Sequence, residues 1–77
     1  SLQLALGRIC LRNELWGKAR EYFEDAYRLA PNATICFELA RLLDGLGEHP
    51  QAANYLREGL QRQGQQLPEL PLPKARH

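Results

Sequence analysis

Leu2, Leu6, Ile9 and Cys10 recur at three-to-four spacing at the start of the chain, the period that places apolar side chains on one stripe of an α-helix. Asn13 and Glu14 interrupt that pattern. It resumes from about Trp16 to Leu29, where Ala19, Tyr22, Phe23, Ala26 and Leu29 share a face. Pro31 ends this second predicted helix, because proline cannot continue a helix and disfavours helical geometry in the residue before it. A third helix is predicted through Leu46, with Asn32 or Thr34 as its N-cap, and Gly45 and Gly47 supply the turn that follows. Pro50 falls in the first turn of a fourth helix, where its missing N–H costs nothing. Ala52, Ala53, Leu56 and Leu60 carry that helix to about Gln63, with Gly64 as its predicted stop.

The four segments form two copies of one pattern. A shift of 33 residues lays Leu6 on Leu39, Gly7 on Ala40, Arg8 on Arg41, Ala19 on Ala52, Tyr22 on Tyr55 and Phe23 on Leu56. Ala26 meets Gly59, and Leu29 meets Arg62, a mismatch. The expected fold class is therefore all-α: two helix-turn-helix repeats, 2–31 and 32–63, followed by an extended Pro-rich tail, 64–77. Pro68, Pro71 and Pro73 favour a polyproline-like tail. Its PxxP, Pro68 to Pro71, reads as tail rather than ligand, and Leu67, Leu70 and Leu72 are placed to lie against the last helix.

Composition narrows the function by exclusion. The formal charge is +1 over 77 residues, so no global field draws the chain to nucleic acid or anionic lipid. No apolar run approaches the roughly 18–20 residues of a membrane span. The expectation is a soluble fragment with no membrane insertion of its own. The absence of Met and a start inside the apolar run SLQLALGRICL suggest a piece excised from a longer protein. A single core of this size seldom contributes more than about 3–5 kcal/mol. Stacked repeats need about three units to cover their apolar faces. Two units should therefore self-associate through their open faces, or fold the tail onto one of them.

Catalytic chemistry finds no foothold. Ser1 is the only serine, no glycine-rich phosphate loop occurs, and Glu24-Asp25 read as solvated carboxylates on a helical face. No enzyme activity is expected. Cys10 and Cys36 fall seven residues out of register after the repeat shift, about 10 Å along parallel helices at 1.5 Å per residue. That exceeds the reach of a disulfide or of one tetrahedral zinc, so both read as small core residues. His49 lies in a turn and His77 in the tail, neither with a ligand partner at motif spacing. No metal and no cofactor are assigned.

The residues resemble the tetratricopeptide repeat pattern, in which small residues stand where helices cross and large ones fill the gaps. The first unit carries Leu6-Gly7, then Ala19-x3-Phe23, and closes on Pro31; Gln3 and Cys10 replace the pattern's Trp and Tyr. The second carries Leu39-Ala40 and Ala52-x3-Leu56, with Gly64 in place of Pro. Residues 4–60 also look like the C-terminal repeats of the bacterial HemY family, through LALGRICLRNELWGKAREYFEDAYRLAP and ELARLLDGLGEHPQAANYLREGL. That family consists of inner-membrane-anchored proteins linked to late haem and porphyrin biosynthesis. The resemblance implies a scaffold module in such a protein, on an unassigned side of the membrane, and brings no catalytic residue with it. The alternatives are a module that carries porphyrin or haem directly, or one that joins copies of the parent.

In repeats of this kind the first helix of each unit lines a concave groove. Helical phase points Arg8, Leu11 and Arg12 from the first unit, and Phe37, Arg41 and Asp44 from the second, toward it. Arg8 and Arg41, at equivalent positions with an aromatic between them, would form a basic stripe. Guanidinium groups grip carboxylates bidentately, so the expected partner is a protein or peptide, preferably acidic. The competing reading is a solvated face in which Arg41 pairs with Asp44. Leu4 stands where the chaperone-tail clamp of such repeats has a lysine, which argues against that guest. Trp16 opens the second helix and is expected to pack against a neighbouring helix rather than to stand on display.

Overall fold

In the computed structural model, which describes residues 1–66, four α-helices follow one another without a strand: α1 (Leu2–Arg12), α2 (Trp16–Leu29), α3 (Ala33–Gly45) and α4 (His49–Gln66). The Ser1 hydroxyl accepts from the Leu4 N–H at 3.3 Å and caps α1. Asn32, not Thr34, caps α3, its side chain accepting from the Ile35 N–H at 2.9 Å. Each satisfies a backbone donor that a helix start leaves without a partner.

The two turns inside the helix pairs are built alike. After α1, the Glu14 N–H donates to the Leu11 carbonyl at 3.1 Å and the Leu15 N–H to the Cys10 carbonyl at 2.8 Å. After α3, Gly47 donates to Asp44 at 3.1 Å and Glu48 to Leu43 at 2.8 Å, the same bonds one repeat later. Both closures need a left-handed residue, held by Glu14 (φ 60°) in the first and Gly47 (φ 85°) in the second. Gly64 does not stop α4, which runs on to Gln66. Flanking glutamines are good helix formers, and one glycine costs about 1 kcal/mol without forbidding helical φ and ψ.

The core sits where α3 lies across the first pair. Ala19, Phe23 and Ala26 of α2 meet Ile35, Leu39 and Leu42 of α3, with Leu4, Cys10, Leu11, Tyr27 and Tyr55 packed around them. Phe23, Leu39, Leu43 and Cys36 are the largest fully buried side chains. Cys36 is thus a core residue and Cys10 a half-buried one; both are free thiols. Close helix approach depends on two glycines. A Cβ on Gly7 would stand 2.6 Å from a ring carbon of Phe23, and one on Gly59 would stand 2.6 Å from a ring carbon of Phe37. No helix among the described residues is long and apolar enough to cross a membrane. The expected placement of Leu67, Leu70 and Leu72, the PxxP and His77 all lie outside the described residues.

Candidate interaction groove

The surface shared by α1 and α3 holds a cleft of about 410 Å³. Leu11 and Trp16 form one wall; Glu38, Arg41, Leu42, Gly45 and Leu46 form the other. Most of this lining is apolar, and its two charged members differ in state. Glu38 accepts from Arg8 Nε at 2.7 Å across the two helices. Arg41 is exposed and makes no ion pair among the described residues. With Glu38 already compensated, the cleft presents an apolar floor beside one unspent guanidinium.

The six residues that helical phase pointed toward the groove separate in three dimensions. Leu11 and Arg41 line the cleft. Arg8 stands beside it but is engaged by Glu38, so the expected basic stripe is interrupted by a carboxylate. Arg12 is exposed and does not line the cleft. Phe37 turns away, its ring lying over Gly59, where the missing side chain of α4 leaves room for it. Together with Arg41 and Asp44 it borders a second, apolar hollow of about 370 Å³ between α3 and α4, with His49, Ala52 and Leu56 opposite. Asp44 bonds the His49 ring at Nδ1, 2.6 Å away, instead of pairing with Arg41.

Trp16, Glu38, Leu42 and Leu46 were not among the residues expected at the groove. Trp16 is 43% exposed and forms a wall of the cleft, so it stands more on display than its place at the start of α2 led one to expect. Glu38 had a signal in the sequence, since it lies three residues before Arg41 and so shares its side of a helix.

The opposite face joins α2 to α4 through polar contacts. Tyr27 Oη donates to both carboxylate oxygens of Glu58, at 2.7 and 2.8 Å, and Arg62 Nε donates to one of them at 2.7 Å. Hydrogen bonds from Tyr27 and Arg62 hold the Glu58 carboxyl below its usual range, and the same bond to Glu58 raises the Tyr27 phenol. Tyr27 and Tyr55 meet edge to face at 5.3 Å. Burial pushes the Cys36 thiol up, which keeps it protonated and unreactive. The Glu24-Asp25 carboxylates are half-buried and ion-paired within α2, to Arg20 and Arg28 respectively. Among the described residues no three His, Cys, Asp or Glu side chains converge on one point.

Two antiparallel helix pairs stacked at a 33-residue interval, with a groove along their first helices, define an α-helical repeat protein. Residues 1–42 match the tetratricopeptide repeat family, and the chain belongs to it. No curated protein and no solved structure matches the chain. Tetratricopeptide repeats generally mediate protein–protein interaction, and the family is a non-catalytic interaction module.

Proposed function

We propose that the chain is a scaffold module whose α1–α3 groove holds an extended peptide carrying an apolar side chain next to a carboxylate. Arg41 carries this reading. It is a cation without an ion-pair partner among the described residues, at the rim of a cleft walled by Leu11, Trp16, Leu42 and Leu46. An apolar anchor would fill the cleft while the guanidinium takes the carboxylate through two parallel hydrogen bonds. Arg8 contributes indirectly by keeping Glu38 from repelling the same ligand. Arg12, Phe37 and Asp44 take no part in the cleft. The second partner we infer is another copy of the chain, on the strength of its exposed apolar helix faces. The resemblance of residues 4–60 to the HemY family supports the setting: a parent protein anchored in a bacterial inner membrane, where the module would gather enzymes of haem or porphyrin synthesis.

The groove is tested by fluorescence anisotropy with short labelled peptides in which a Leu or Phe precedes an Asp, Glu or free C-terminus. Arg41→Ala should weaken binding about tenfold or more, the loss expected of one charge-assisted contact of about 1.4 kcal/mol. Added salt should weaken the parent chain and leave the variant nearly unaffected. Arg28→Ala, on α2, should change nothing. Affinity that survives Arg41→Ala unaltered would remove the groove as the binding surface.

A further inference from the structure

The exposed apolar surfaces of the chain are a matched pair in register. Within the molecule, α3 covers α2 by setting Ile35, Leu39 and Leu42 against Ala19, Phe23 and Ala26, all of them buried. Thirty-three residues before the first three stand Leu2, Leu6 and Ile9 on α1. Leu2 is 68% exposed, Ile9 45%, and Leu6 is half-buried. Thirty-three residues after the other three stand Ala52, Leu56 and Gly59 on α4. Leu56 is 47% exposed there, with Leu60 beside it at 56%, and the apolar hollow of about 370 Å³ opens next to them. Among the described residues, Leu2 and Ile9 on α1 and Leu56 on α4 thus lack the cover that Ile35, Leu42 and Phe23 have, while Ala52 and Gly59 are already buried.

We propose that α1 of one copy docks on α4 of the next as α3 docks on α2 within a copy, so that copies associate head to tail. This rests on the reading that the open faces self-associate, and adds which two faces meet. Size follows the internal template: Leu2, Leu6 and Ile9 stand in register with Ile35, Leu39 and Leu42, and Ala52, Leu56 and Gly59 with Ala19, Phe23 and Ala26, so large side chains again face a helix of mostly small ones. Charge permits it as well. The side-chain bonds that tie the first helix pair to the second are Arg8–Glu38, Arg20–Gln51 and Tyr27–Glu58. In register between copies these become Arg41 with Ala5, Ala53 with Lys18, and Leu60 with Asp25. No like charges meet, and Asp25 keeps Arg28 as its counter-ion. Because the two surfaces differ, the contact is heterologous and propagates rather than closing into a two-fold dimer.

Sedimentation velocity of the full chain over a wide concentration range tests this. A ladder of species that lengthens with concentration is expected. Ile9→Glu and Leu56→Glu, both at exposed positions, should each give a monomer of unchanged helicity by circular dichroism. An equimolar mixture of the two should form a dimer and nothing larger, since one variant still offers α4 and the other still offers α1. Leu2→Glu and Leu60→Glu probe the same surfaces if either first variant loses helicity. A dimer that survives Ile9→Glu overturns the head-to-tail contact while leaving self-association standing. A parent chain that stays monomeric overturns both. Association that appears only after removal of residues 67–77 assigns the α4 face to that segment, and a mixture that stays monomeric also overturns the proposal.

Discussion

Two glycines on two helices meet different surroundings, and their substitution by alanine separates them. Gly7 faces the fully buried ring of Phe23, with 2.6 Å between the would-be Cβ and a ring carbon. That ring has nowhere to go, so Gly7→Ala should destabilise by about 1–3 kcal/mol through overpacking. This outweighs the gain of about 1 kcal/mol in helix propensity. Gly64 faces open space in α4, so Gly64→Ala should stabilise by about 0.5–1 kcal/mol. Urea denaturation reads both, and equal effects at the two sites would refute the packing account. Glu58 offers a second test at this scale. Its folded value lies below the unfolded one of about 4.3, so its contribution is fully present above that value. The contribution is lost as pH falls through the lowered folded value. Glu58→Gln should therefore cost stability at pH 7, and melting curves of parent and variant should converge as the pH is taken down through the lowered folded value.

At the scale of elements, the hydrogen bonds of the two intra-repeat turns recur position for position although their residues differ, which puts the weight on the one left-handed position that both turns need. Glu14 and Gly47 occupy the same left-handed position, a conformation that costs a residue with a Cβ about 1–2 kcal/mol. Part of that cost is offset by the chain entropy that a non-glycine residue loses less of on folding. Glu14→Gly should raise stability by several tenths to about 1 kcal/mol, measured as an increase in the urea midpoint at unchanged slope. The start of α3 was narrowed to a cap at Asn32 or Thr34, while the end of α2 and the start of α4 were legible because Pro31 and Pro50 act through local backbone chemistry. The end of α4 was not. Gly64 carries the same permissive backbone whether it stops a helix or lies within one, and here it lies within.

At the scale of the whole molecule, the groove depends on how α1 and α3 meet, and helical phase describes only which way each faces. Leu11 and Arg41 were legible on that basis. The capture of Arg8 by Glu38 was not, because those residues lie 30 positions apart and their bond needs both helices in place. The turning of Phe37 onto Gly59 is of the same kind: a side chain follows the space that another helix leaves. The cleft therefore concentrates on Arg41 what the sequence spread over a stripe. Loss of peptide affinity in Arg41→Ala and dimer formation by mixed Ile9→Glu and Leu56→Glu chains read two different events, peptide capture and association of copies, although Arg41 borders both hollows.

The sequence by itself determined the all-α class, the 33-residue register, the tetratricopeptide character and the core placement of Cys36. Those follow from periodicity and from the size of residues at crossing points, which are local properties repeated along the chain. Tertiary structure alone decided which charges remain available and where Phe37 and Trp16 lie. These depend on distances between residues remote in sequence, set only once the helices have packed.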